Sequence, residues 1–513
     1  MANTKEAANG GGGGGGGGVE WRIRVGNGSS ETLAPESSGI ASKAWHGFQG
    51  LIVGLAMRVW RFIKKAWDLG VDEPRKVIHC LKVGMALTVV SLFYYMRPLY
   101  DGVGGNAMWA VMTVVVVFEY TVGATICKCL NRASGTFLAG ALAVGVHWLA
   151  SQSGEKIAPI IVGVSVFLLA SAATFSRFIP VVKARFDYGA MIFILTFSLV
   201  TVSGYRVEKL IDLAHQRLST IIVGISICIV IIMLIRPIWA GEELYLLIIC
   251  NMDKLANSLD GCVAEYFSDS EGTTNSKEGC DKKLQGYKCV LNSKATEDSM
   301  AGFARWEPAH GRFNFQHPWK QYLKIGASMR NCAYCIEALN SCINSENQAP
   351  ELIKKHLSGV CLRVGTNSSS VIKELAINIK SMRKSSTIDF AIDEMNSAVQ
   401  ELQNYLKSLP GILISPPPDS EAKTPENEKG ESVLSTTTMI PLLEFIPVVT
   451  FASLLIEVVA RIGGLVDEVE ELGKLAEYKP AADEKPKQNQ PNNKIVPNER
   501  DDDDKTMKTL QRV

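Results

Sequence analysis

Between Ile78 and Ile235 the chain carries 17 charged residues in 158 positions, whereas the other 355 positions carry 88. Inside this charge-poor block lie six stretches free of Asp, Glu, Lys and Arg: 83–96, 102–118, 133–154, 157–176, 188–205 and 218–235. A helix rising about 1.5 Å per residue needs about 20 apolar residues to cross a hydrocarbon core. Six membrane spans are therefore predicted, and a single soluble globular enzyme is excluded. The first stretch reaches span length only by including residues 77–82, which leaves Lys82 to snorkel toward the interface or to face a wet cavity. Glycines recur within the spans, as at Gly135, Gly140 and Gly145, and small residues let helices approach closely in lipid.

Loop charges set the orientation, because Lys and Arg near span ends are retained on the cytoplasmic side. One side collects twelve: Arg58, Arg61, Lys64, Lys65, Arg75, Lys76, Lys128, Arg132, Arg177, Lys183, Arg185 and Arg236. The other collects five: Arg97, Lys156, Arg206, Lys209 and Arg217. Both termini are thus expected in the cytosol. The first eighteen residues end in nine glycines and lack a signal-peptide pattern, so an internal segment is expected to direct insertion.

Outside the block the composition is ordinary, with 53 basic against 52 acidic residues overall, which gives no global reason to bind nucleic acid. The twelve cysteines form no disulfide framework, and several sit in apolar runs as small hydrophobes. Apolar residues at three- and four-residue spacing from Trp45 to Ile63, with basic residues off that stripe, predict an amphipathic helix. It lies in the inner membrane interface or packs against the cytosolic part.

From Gly241 onward helical periodicity returns and a cytosolic helical bundle is expected, with a long helix running straight out of the last span. The organisation predicted is an all-α membrane protein. Residues 1–42 form a disordered Gly-rich extension, 43–76 the amphipathic interfacial region, 77–236 the six-helix transmembrane domain and 237–409 the cytosolic helical domain. Residues 410–440 form a Pro/Ser-rich linker, 441–476 the last cytosolic helix and 477–513 a disordered tail.

Catalytic and cofactor signatures are absent from the sequence. The glycine run has no Lys-Ser/Thr after it and no strand before it, and Cys332 and Cys335 lack a second pair. His310 and His317 stand in an aromatic loop that reads as a lock between helices. Transport is the better reading, without a cofactor or a metal.

Charged residues near or within spans are then the functional candidates. Lys128 and Arg132 are four apart and share a helical face; Arg217 opens the sixth stretch; Lys183 and Arg185 precede the fifth. Anion pores use such bases in place of the hydration shell, each pair at about 5 Å being worth roughly 3 kcal/mol at an effective dielectric near 20. Glu119 follows an apolar run and either pairs with one of these bases to shape a gate or sits in the inner interface.

Several runs resemble one family closely. FYYMRPLYDGVGGNAMWAVMTVVVVFEYTVGAT (Phe93–Thr125), KCLNRASGT (Lys128–Thr136), FSRFIPVVKARFDYGAMIFILTFSLVTVSGYR (Phe175–Arg206), HQRLSTI (His215–Ile221), RPIWAGEEL and WEPAHGRFNFQHPWKQYLKIG look like those of the plant aluminium-activated malate transporters. The amino-terminal extension and the ending TMKTLQRV resemble the guard-cell quick-activating, malate-sensitive channels within it. The resemblance implies a homodimeric plant anion channel, six helices per subunit around a basic pore, with Arg132 and Arg217 as the pore bases and Lys128 close by. It implies extracellular cation-sensing carboxylates at Asp101, Glu208 and Asp212, and gating by malate and voltage.

The leading expectation is a malate-permeable channel also conducting chloride, nitrate and sulfate across the plasma membrane, or the vacuolar membrane. A proton-coupled organic-anion carrier and a membrane-anchored scaffold are its rivals. Ser385, Ser386, Ser415 and Thr424 are phosphorylation candidates for regulatory kinases.

Overall fold

The structure is a computed structural model that describes residues 22–24, 30–32, 40–96, 108–154, 156–204, 210–268, 284–414 and 444–479. The chain divides into two compact units, Met1–Pro74 and Arg75–Val513. In the first, β1 (Arg22–Arg24) pairs antiparallel with β2 (Ser30–Thr32), and α1 spans Ile40–Asp72. The ribbon falls within the amino-terminal extension.

The second unit opens with the apolar helices: α2 (Pro74–Tyr95), α3 (Met108–Val117), α4 (Val122–Gln152), α5 (Ala158–Ser176), short α6 (Pro180–Arg185), α7 (Asp187–Gly204) and α8 (Leu210–Leu234). Helix α4 packs against α7, α3 against α8, and α5 against α7. Two small cores result. Ala86 and Val90 of α2 meet Ala110 and Val114 of α3 and Cys228 and Ile232 of α8, while Ala139 and Ala143 of α4 meet Phe197 and Val200 of α7. Outward, Phe137, Phe167, Phe175 and Leu234 are 65 to 80% exposed. An apolar exterior around small-residue contacts is the surface of a membrane protein, because lipid solvates it and water does not. Helices α4 and α7 approach closely at Gly135, where a Cβ would lie 2.7 Å from the carbonyl oxygen of Gly189.

By length and hydropathy α4, α5 and residues His215–Leu234 of α8 can each cross a bilayer, and α3 and Asp187–Val202 are shorter apolar helices. The third helix begins at Val122, eleven residues before the stretch that announced it, and so carries Lys128 and Arg132 within its first turns. Thr121 caps it, accepting from the amide of Ala124 at 3.4 Å.

Lys82 neither snorkels nor faces a cavity. It is 1% exposed and donates to the carbonyl of Arg236 at 2.8 Å. The acceptor exists because α8 does not run on into the next helix, contrary to the sequence expectation. The helix stops at Leu234, Arg236 turns to φ +35°, Pro237 cannot continue the ladder, and α9 starts afresh at Ala240. A lysine at a helix carboxy-terminal carbonyl is also favoured by the helix dipole.

The carboxy-terminal bundle comprises α9 (Ala240–Tyr266), α10 (Gly286–Asn292), α11 (Lys294–Ala304), α12 (Trp319–Ile343), α13 (Glu351–Ser381), α14 (Ile388–Ile414) and α15 (Ile446–Leu475). Helix α14 continues past residue 410, where the linker was expected, to Ile414. Helix α15 is long and apolar enough to cross a membrane, yet Val448, Phe451, Leu455, Val458 and Ile462 are buried in the bundle core, against α12 and α13. Its apolar face is consumed by protein.

Candidate anion pathway

Helices α3, α4, α7 and α8 bring two arginines to one narrow cleft, lined by Trp109, Arg132, Ile192, Thr196, Arg217 and Ile221 among others. The space left there is about 10 Å³, room for roughly one water. Loop counting had put Arg132 and Arg217 on opposite sides of the membrane. Their convergence makes them residues of the helix bundle, and without them the charge bias remains eleven to four.

Arg132 is 5% exposed. Its Nε donates to Thr113 Oγ1 at 3.1 Å and its Nη1 to Tyr188 Oη at 3.1 Å. Thr113 is aimed by its own donation to the carbonyl of Trp109, one helical turn earlier, at 2.7 Å. Both of these partners are neutral, and among the described residues no carboxylate pairs with Arg132, which leaves its remaining N–H donors for an anion.

Arg217 is half-buried and stacks on Trp109, its guanidinium carbon 4.4 Å from the ring centroid. Its Nε is buried without a hydrogen-bond partner. An aromatic face stabilises a guanidinium without neutralising it, by about 0.5 to 2 kcal/mol. Helix α8 approaches α3 closely here, a Cβ on Gly224 falling 3.0 Å from the carbonyl of Ala110 and the Cβ of Thr113.

Three other bases of the region have carboxylate partners. Lys128 pairs with Glu119 and lies 5.7 Å over the Tyr188 ring. Arg177 makes two contacts with Asp187, at 2.6 and 3.2 Å, and Arg75 reaches Glu243 of α9 at 2.8 Å. Of the two readings of Glu119, the ion pair is the one present. Lys183 and Arg185 stand exposed on α6 and do not line the cleft; the backbone carbonyl of Arg185 accepts from Asn131 Nδ2 at 2.9 Å.

Asp101, Glu208, Ser415 and Thr424 lie outside the described residues, as does the side chain of Asp212 on α8. Ser386 is exposed, whereas the Ser385 hydroxyl bonds Glu374 at 3.2 Å and Thr387 at 2.6 Å ahead of α14. The sequence reading missed Trp109, Thr113 and Tyr188. The available signal was the four-residue spacing of Trp109 and Thr113, which places both on one face of α3.

Beneath the cleft, one carboxylate ties the membrane helices to the bundle. Glu307 accepts from the backbone amides of Gly123 at 3.1 Å, Ala240 at 2.6 Å and Gly241 at 3.1 Å. It thus caps the amino termini of α4 and α9 together, where unsatisfied amides and helix dipoles favour negative charge. Burial pushes its carboxyl above the usual carboxylate range, against the opposing pull of these three amides. Beside it His310 stacks on Trp239, with ring centroids 3.8 Å apart. His317 hydrogen-bonds the Tyr322 hydroxyl at 3.1 Å, and burial, with the neighbouring His310, lowers it to about 4. The aromatic loop does lock helices together. Cys332 is buried within α12, its thiol pushed up to about 12 by burial, and no metal-binding cluster exists among the described residues.

Apolar helices enclosing two arginines with no carboxylate partner among the described residues fit a helical membrane transport protein. The profile of the aluminium activated malate transporter family matches residues 67–434 and 418–473. Aluminum-activated malate transporter 10 of Arabidopsis thaliana is 55% identical over 475 residues, covering 90% of this chain and 94% of the relative. Aluminum-activated malate transporter 2 of the same plant is 43% identical over 458 residues, 88% of this chain and 85% of the relative. The wheat (Triticum aestivum) aluminum-activated malate transporter 1 is 42% identical over 444 residues, 85% and 90%. The chain belongs to the aluminium-activated malate transporter family, whose members are transporters and not enzymes.

Proposed function

We propose that the protein is a passive anion channel conducting malate, chloride, nitrate and sulfate, with Arg132 and Arg217 as its anion-binding bases. The carrying observation is the contrast within one bundle: Lys128, Arg75 and Arg177 have carboxylate partners, whereas among the described residues the two arginines lining the cleft have only neutral ones. A charge held by neutral donors and a π-face attracts a passing anion without the competition of a fixed carboxylate. The cleft is too small for malate as it stands. Conduction then requires α3 and α8 to part, with malate and voltage as the gating stimuli.

Six spans per subunit, a homodimer, cytosolic termini and the plasma membrane complete the reading, with the guard-cell quick-activating channels as the subgroup it resembles. The exposed bases Lys183 and Arg185 then act at the inner mouth. Asp101, Glu208 and Asp212 belong to the outer face as cation-sensing carboxylates, and Ser385, Ser386, Ser415 and Thr424 are kinase targets. Phosphate on Ser385 would meet the Glu374 carboxylate and loosen the start of α14.

The test is the reversal potential of purified protein in planar bilayers under malate and chloride gradients. Reversal at the anion Nernst potential at every pH supports a channel; reversal that moves with the proton gradient supports the coupled carrier. Unchanged current and selectivity in both Arg132→Ala and Arg217→Ala would remove the pore assignment.

A further inference from the structure

We propose that α1 is an in-plane membrane anchor that recognises anionic phospholipid headgroups. Successive residues of a helix turn by about 100°, so Leu51, Ile52, Leu55, Val59, Phe62 and Ile63 fall on one continuous side. The opposite side carries Arg58, Arg61, Lys64 and Lys65, followed by Asp68 and Asp72. Trp60 and Trp67 stand near one border between the two sides. The apolar side is bare: Phe62 is 73% exposed, Leu51 68%, and both tryptophans about 70%.

A soluble helix with this pattern buries its apolar side in a protein core. A helix that keeps it exposed, has indoles at the polar boundary and bases on the polar side matches a bilayer interface, where the rings sit at headgroup depth. Charge selects the kind of headgroup. All four bases fall within two turns, 58–65, and among the described residues none of them makes an ion pair. Among the described residues their one side-chain hydrogen bond runs from Arg61 to the carbonyl of Met57, within the helix itself. Four clustered cations near a surface each gain about 1 kcal/mol from an anionic leaflet. The two aspartates lie in the last two turns, so the positive potential is greatest in the middle of the helix. Along the chain α1 ends at Asp72 and α2 begins at Pro74, so a single residue, Glu73, separates the amphipathic helix from the first apolar one.

The full-length protein, reconstituted into nanodiscs whose acyl chains are brominated, tests this by quenching of tryptophan emission. Wild type is compared with Trp60→Phe/Trp67→Phe, in phosphatidylcholine alone and with phosphatidylserine added. The wild type is expected to lose more emission to bromine than the double variant, and the difference is expected to grow with phosphatidylserine. That growth is expected to vanish in Arg58→Gln/Arg61→Gln/Lys64→Gln/Lys65→Gln, and also in unmutated protein at high salt, which needs no variant to fold. Equal quenching of wild type and double variant in both lipids would show the helix docked elsewhere, on a second copy or another protein, and would overturn the proposal. A difference insensitive to phosphatidylserine and to salt would overturn the headgroup recognition.

Discussion

Glu307, in the loop that follows α11, hydrogen-bonds the backbone amide of Gly123 in the first turn of α4 at 3.1 Å. The same carboxylate holds Ala240 and Gly241 at the start of α9, so one side chain joins a membrane helix to the carboxy-terminal bundle. Glycine is required at 123, because a Cβ there would lie 2.4 Å from the carbonyl oxygen of Phe303.

Glu307→Ala strands three buried amides, and each costs about 1 kcal/mol or more. We expect a clear fall in the unfolding temperature of the nanodisc-embedded protein, together with altered gating. Glu307→Gln keeps one acceptor and turns an NH2 toward an amide donor, so an intermediate fall is expected. Thermal melts of the three proteins order them.

Tyr188→Phe removes one of the two donor–acceptor bonds that hold Arg132. A hydrogen bond to a charged group contributes about 1.5 to 3 kcal/mol, so a change of about tenfold in apparent malate affinity is expected. Arg132→Lys, which loses the fork reaching Thr113 and Tyr188, is expected to be at least as damaging. Concentration dependence of malate current measures both.

Trp109→Phe retains a π-face under Arg217, whereas Trp109→Leu removes it. The phenylalanine variant is expected to stay near wild type in malate-to-chloride permeability ratio, and the leucine variant to shift severalfold. Bi-ionic reversal potentials decide.

The pair Lys128–Glu119 is partly exposed, so its net contribution is modest, about 1 kcal/mol or less. Removing Glu119 alone frees a third cation near Tyr188. Glu119→Gln is therefore expected to raise anion current at low ionic strength, and the exchange Glu119→Lys/Lys128→Glu to restore wild-type behaviour. Current measured across a salt series checks this.

His317 is neutral in the folded bundle, its pKa lowered to about 4 from the ordinary 6.5. A base with a depressed folded pKa contributes stability that is full above the unfolded value and is lost as pH falls from about 6.5 toward 4. His317→Gln, which cannot take up the proton, is expected to narrow the difference between melts at pH 7 and pH 5.

Six uncharged stretches announced the apolar helices, and the helical periodicity after Gly241 announced the bundle, because burial leaves a direct imprint on residue order. The joints were less legible. Pro237 stands plainly in the sequence, but only the folded chain shows that the break it enforces supplies the carbonyl capped by Lys82, 154 positions away. Trp109, Thr113 and Tyr188 look like ordinary span residues until α3, α4 and α7 are packed together.

The sequence by itself determined the class of molecule: a charge-poor block must lie in lipid, and its basic residues must be solvated, paired or used. Tertiary structure alone decided which were which. Lys128, Arg75 and Arg177 found carboxylates and Lys82 a carbonyl, while among the described residues Arg132 and Arg217 met a hydroxyl, a phenol and an indole. Pairing depends on distances between helices far apart in the chain, and no spacing along the chain encodes them.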